Sequence, residues 1–246
     1  MRALSSFAAV LAVVGAAAMV PPQAVAAVAV CRQALALGLD VSGSVNTAEY
    51  RLQSRGLANA LLDPEVSAAF LSMPHAPVRL FIYEWAEGAP RVLQDWREIR
   101  DAGDLAQTAA LLRGNQRVRM PPATQLGMAM RFGARALAAQ QSCWKLTLDI
   151  SGDGKSNAGP RPRDVRNSGV LGRATVNGLL ISSTGPGLEN YYRAEVLHGP
   201  DAFVEKARGY SAYSDAMRRK LLRELKILAI GALDPAEVTP ADLPVK

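Results

Sequence analysis

Short apolar runs alternate along the chain with longer segments whose apolar positions recur at helical spacing, the arrangement that argues for parallel strands joined by crossover helices. Strands are predicted at Gln33 to Leu39, Val78 to Trp85, Trp144 to Ile150, Val176 to Ile181 and Ala202 to Lys206, with Arg91 to Trp96 as a short edge strand. Helices fall between them at Thr47 to Leu62, Asp104 to Leu112, Gln125 to Gln140, Arg163 to Ala174 and Leu188 to Leu197. A last helix, Ser214 to Leu228, carries Met217, Leu221, Leu225 and Leu228 on one stripe and its basic residues off it, so one side docks and the other is solvated.

The two ends of the chain break this pattern. Met1-Arg2, an apolar run from Phe7 to Val20 and Ala24-Val25-Ala26 form the charged start, apolar middle and small-residue end of a secretory signal, expected over residues 1–26. Pro21-Pro22 stops the run short of the roughly 20 residues that a bilayer span needs, so no stable membrane insertion is expected. The expected folded unit is 27–232. Beyond it, 233–246 contains Pro235, Pro240 and Pro244 and reads as a loosely attached tail. Export to the periplasm or the medium makes an intrachain disulfide between Cys31 and Cys143 feasible. Cys31 lies nine residues before Asp40 and Cys143 ten before Asp153, so both would begin strands whose other ends carry those aspartates. Two free buried thiols are the alternative.

With 49% hydrophobic and 20% charged residues over 246 positions, the chain can bury a core. The formal charge of +6 comes from scattered basic residues with no aromatic platform among them, which argues against nucleic acid.

Chemistry gathers at the predicted carboxyl ends of strands, where open sheets of this kind bind ligands. Asp40-Val41-Ser42-Gly43-Ser44 puts one carboxylate and two hydroxyls on a tight turn after the first strand. Thr124 opens the helix before the Trp144 strand, and Asp153 follows that strand. Such hard oxygen donors suit a hard divalent cation. Read singly, Ser44, Asn46 and Thr124 serve equally well as helix caps, so spacing alone leaves both roles open. Asp149 shares strand parity with Ser151 and Asp153 and is either an outer neighbour of a cation or a buried polar contact. Asn157, Arg161, Arg163 and Arg166 follow the Asp153 turn, either as solvated loop residues or as contacts to an anionic partner. His75 and His198 have no companion set for zinc.

Asp40-x-Ser42-x-Ser44, Thr124 and Asp153-Gly154, in that order, resemble the metal-ion-dependent adhesion site of von Willebrand factor type A domains. Val176-Asn177-Gly178-Leu179, Glu189-Asn190-Tyr191-Tyr192, Gly199-Pro200-Asp201-Ala202-Phe203 and Arg218-Arg219-Lys220-Leu221-Leu222 are similar to an uncharacterised bacterial exported group within that superfamily, a domain of unknown function. The resemblance covers Gln33 to Ile230. It implies an α/β fold, a doubly wound, mostly parallel sheet with helices on both faces, and Mg²⁺ or Mn²⁺ at its upper edge. It further implies metal contacts from Asp40, Ser42, Ser44, Thr124 and Asp153, and a partner protein, not identified by the sequence, that supplies an acidic side chain.

Enzyme readings are weaker. Gly152-Asp153-Gly154-Lys155-Ser156 ends like a phosphate-binding loop, but Asp149 stands where that loop opens with glycine. No Gly-x-Ser-x-Gly elbow surrounds Ser42 or Ser44. A metal-dependent hydrolase on the same fold is the alternative function, and it needs a general base for which only Asp149 and Asp153 are at hand.

Overall fold

A computed structural model describes residues 30–182 and 185–226. The expected signal segment and proline-rich tail lie outside the described residues. Six strands form one sheet: β1 (Cys31–Asp40), β2 (Val78–Trp85), β3 (Arg91–Ile99), β4 (Cys143–Gly152), β5 (Thr175–Ile181) and β6 (Val204–Ala207). Their order is β3-β2-β1-β4-β5-β6, all parallel except the edge strand β3, which runs antiparallel to β2. The order reverses between β1 and β4, so a crevice opens above their carboxyl ends.

β1 lies at the centre and all ten of its residues are buried, which is why its sequence is a nearly unbroken apolar run instead of an alternation. Leu35, Leu37 and Leu39 point into one core layer, and Ala34 and Ala36 into the other. The first layer is closed by helices α1 (Thr47–Leu61), α2 (Pro64–Leu71), α3 (Ala102–Gly114) and α7 (Tyr213–Leu225). The second is closed by α4 (Leu126–Ala138), α5 (Pro162–Asn167) and α6 (Gly187–Glu195). Among the described residues no helix is long and apolar enough to cross a membrane.

Register explains the cysteines. Cys31 and Cys143 are paired across the neighbouring strands β1 and β4, with Cα atoms 4.3 Å apart, and they form a disulfide at the lower edge of the sheet. Asp40 and Asp153 stand at the opposite edge.

Two elements differ from the sequence expectation. The helix predicted over Arg163 to Ala174 ends at Asn167, because Gly169 and Gly172 take the left-handed conformation at φ of 79° and 53° and turn the chain out of the helix. Helix α2 lies where none was predicted. Asp63 caps it through Glu65 N and Val66 N and Pro64 starts it, but only Val66 and Phe70 are buried, too few apolar positions to establish a period.

Candidate metal centre

The site grows from the way β1 stops. Asp40, its last residue, turns Oδ1 back to accept the amide of Ser42 at 2.8 Å, and Gln53 on α1 donates to the Asp40 carbonyl at 2.9 Å. The turn is pressed against the loop before α4: Gly43 N donates to Pro122 O at 2.8 Å. A Cβ at position 43 would stand 2.8 Å from Pro122 Cβ, so only glycine permits this approach. Asn46 then caps α1 by accepting from Ala48 N and Glu49 N, which frees Ser42 and Ser44 from capping duty.

Three segments converge here. Thr124 Oγ1 lies 3.3 Å from Ser42 Oγ, and Ser42 Oγ lies 3.4 Å from Ser44 Oγ. Ser44 Oγ donates to Asp153 Oδ1 at 2.7 Å. The structure thus brings together all five residues singled out from the sequence. Thr124 is itself clamped by the turn after β4: its amide donates to Asn157 Oδ1 at 2.8 Å, and its carbonyl accepts from Asn157 N and Ser156 Oγ. Asn157 therefore has a positioning job inside the site.

The remaining sequence candidates point elsewhere. Asp149 is buried, with Oδ1 2.8 Å from Lys220 Nζ. Parity misleads here because Asp153 lies beyond the end of β4, where strand alternation no longer applies. Arg161 and Arg163 reach Glu195 at 3.5 Å and 2.5 Å, and Arg166 donates to Leu197 O at 3.3 Å. Among the described residues no three His, Cys, Asp or Glu side chains gather as a metal cluster.

Several neighbours carry no signal in the sequence. Tyr210, on the short 3₁₀ turn Tyr210–Ala212, donates to Asp153 Oδ2 at 3.1 Å. Arg117 donates to the carbonyls of Val41 and Ser42 at 3.2 and 3.4 Å. Tyr192 is buried under the turn, and its hydroxyl would lie 2.6 Å from a Cβ placed on Gly152.

Electrostatically the site is poised for a positive charge. Asp40 is fully buried, and its Oδ2 has no hydrogen-bond partner. Burial pushes its carboxyl up to about 7, and the nearby Asp153 charge adds to the rise, against the hydrogen bonds from Ser42. The Tyr210 hydroxyl is raised by burial and then by Asp153 and Asp40. An orphaned carboxylate oxygen at the turn that also carries the Ser42 and Ser44 hydroxyls fits a hard cation, whose charge would reverse the cost of ionising Asp40.

The doubly wound, mostly parallel sheet is the fold of von Willebrand factor A-type domains. Solved structures agree on the fold. Proximal thread matrix protein 1 from the mussel byssus superposes with a TM-score of 0.58 at 14% identity, over 80% of this chain and 48% of that one. A von Willebrand factor type A protein from Catenulispora acidiphila gives 0.58 at 15%, over 79% and 43%. The mussel protein solved with a zinc-occupied MIDAS motif gives 0.53 at 16%, over 80% and 48%. The chain therefore spans less than half the length of these proteins. No curated protein matches it in sequence. The chain belongs to the family described as Protein of unknown function (DUF1194), whose profile matches residues 30–229.

Proposed function

We propose that this is an exported binding domain that holds Mg²⁺ or Mn²⁺ through Asp40, Ser42, Ser44, Thr124 and Asp153 and uses it to capture an acidic side chain of a partner protein. The observation that carries the reading is Asp40 Oδ2, a fully buried carboxylate oxygen with no hydrogen-bond partner, on a residue whose turn leads straight into the Ser42, Ser44 and Thr124 hydroxyls. Leaving such an atom unpaired is costly, and a cation removes the cost. When bound, a divalent ion held mostly by neutral hydroxyls keeps much of its charge and attracts an incoming carboxylate. The zinc-occupied motif of the mussel protein supports a divalent ion on this fold.

The chain's own residues prepare the site. Asn157 and Ser156 fix Thr124, Tyr210 holds one oxygen of Asp153, and Gln53 anchors the Asp40 turn. Hydrolysis is less well supported, since Asp149, one of two candidate bases, is buried against Lys220 at 2.8 Å. The Cys31–Cys143 disulfide supports export to an oxidising compartment, periplasm or medium.

Titration calorimetry with Mg²⁺ and Mn²⁺ tests the reading. Saturable heat is expected from the wild type and none from Asp153→Ala or Ser44→Ala, both of which alter exposed or half-exposed positions and should fold. Equal heats in all three proteins would remove the site.

A further inference from the structure

Beside the candidate metal centre lies a cleft of about 640 Å³, within the size range of ligand pockets. Its walls come from the exposed face of α1, the last turn of α3 and the segment leading to Thr124. Arg51, Arg55, Arg113, Arg117 and Arg119 line it, and no carboxylate does. None of the five has a carboxylate within 4.0 Å among the described residues, whereas Arg79, Arg91, Arg193 and Arg219 elsewhere each have one. Glu84, beneath the floor, is already neutralised by Arg91 at 2.6 Å and accepts from Tyr50. Arg113 donates to Asn59 Oδ1 at 2.8 Å and Arg117 to backbone carbonyls, so the five guanidiniums are held in part by neutral groups and none has its charge neutralised by a carboxylate among the described residues. A cleft lined by one sign of charge concentrates its potential and draws anions.

The cleft and the metal centre share parts. Arg117 donates to the carbonyls of Val41 and Ser42, within the turn that presents Ser42 and Ser44. Thr47, three residues after Ser44, lines the cleft. The segment carrying Arg117 and Arg119 continues into Thr124. A chain that placed one carboxylate at the metal centre would have its neighbouring residues over these arginines.

We infer that the cleft is the second half of the partner site, taking further Asp or Glu side chains of the same acidic segment whose carboxylate meets the metal. The inference rests on the metal-dependent reading above and specifies the partner's chemistry: a run of acidic residues, not one. Planar guanidiniums match carboxylates in paired hydrogen bonds. Two other anions fit less well. The first free amides of α1 are already taken by Asn46, so the cleft lacks the backbone donors typical of a phosphate cradle. Tyr50, the lining aromatic, is buried with its hydroxyl on Glu84, so no ring is offered for stacking nucleobases.

Fluorescence anisotropy of a labelled glutamate octapeptide, with a glutamine octapeptide as control, tests this on the full mature chain in Mg²⁺ and in EDTA. The variant Arg51→Ala/Arg55→Ala/Arg113→Ala should bind the glutamate peptide about tenfold more weakly or worse in both buffers, while its Mg²⁺ heat stays that of the wild type. The charge reversal Arg51→Glu/Arg55→Glu should abolish binding in EDTA. Undiminished peptide affinity in both variants would overturn the cleft and leave the metal reading standing. Unchanged Mg²⁺-dependent gain in Asp153→Ala would overturn the metal reading while leaving the cleft. Tighter binding of inorganic polyphosphate or a single-stranded oligonucleotide of equal charge would overturn the acidic-segment assignment.

Discussion

Gly152 shows how closely the candidate site is fitted at the scale of one residue. A Cβ added there would stand 2.6 Å from the Tyr192 hydroxyl and 3.1 Å from Asp40 Oδ2. Neither can withdraw, since both side chains are fully buried. Gly152→Ala is therefore expected to destabilise the fold by about 1–3 kcal/mol, the usual cost of overpacking, and to weaken Mg²⁺ binding by displacing the Asp40 carboxyl. Urea unfolding and calorimetry on the same preparation check both effects; wild-type values in each would show that the space around Asp40 Oδ2 is loose. The residues of the site differ in how well the sequence announces them. Asp40, Ser42 and Ser44 stand together in five positions, and Asp153 follows an evident strand. Tyr210 comes from a turn 57 positions beyond Asp153 with no periodic pattern around it, so only the folded chain reveals that it holds Asp153.

Helix α7 is the element whose docking the sequence describes least well. Its apolar stripe is visible: Met217, Leu221 and Leu225 are buried, and Leu228 lies outside the described residues. Lys220 and Glu224 are read as polar by type, yet both lie in the core against the sheet. They succeed there as a network: Lys220 Nζ is 2.8 Å from Asp149 and 2.7 Å from Glu224, and Asn177 of β5 donates to Glu224 at 2.6 Å. On the same side of the sheet the Tyr213 hydroxyl lies 3.3 Å from Ser151 Oγ, and Lys145 donates to the Glu224 carbonyl. Burial pushes the Asp149 carboxyl up to about 8, with the Glu224 charge adding and Lys220 opposing. An acid whose pKa rises on folding binds more protons folded than unfolded, so its contribution to stability falls as pH rises from its ordinary value near 3.8 towards 8. Asp149→Asn, which keeps the shape of the protonated acid, lacks this dependence. The stability difference, wild type minus variant, should therefore decrease between pH 5 and pH 8 in urea unfolding. Parallel curves would mean that Asp149 is ionised throughout and is held so by Lys220.

At the scale of the molecule, the strand order sets the disulfide and the candidate site at opposite ends of the same two strands. The alternation of apolar runs and helical periods made the sheet legible, and the cysteine and aspartate spacings together pointed to its two edges. What the sequence left open was whether the two cysteine strands are neighbours, because strand order depends on crossovers that no local pattern encodes. With β1 and β4 adjacent, Cys31 and Cys143 close a loop with a sequence separation of 112, and chain entropy puts the ceiling on their stabilisation at about 4.7 kcal/mol. The site, some ten strand residues away, depends on loops that this bond does not touch. Cys31→Ser/Cys143→Ser should therefore lower the unfolding free energy by about 2–4 kcal/mol, while the folded fraction binds Mg²⁺ with wild-type affinity. Thermal unfolding with and without reductant, followed by calorimetry below the transition, separates the two effects. A loss of Mg²⁺ affinity in protein that remains folded would mean that strain passes along β1 from one edge of the sheet to the other, and that the strand is less rigid than its burial implies.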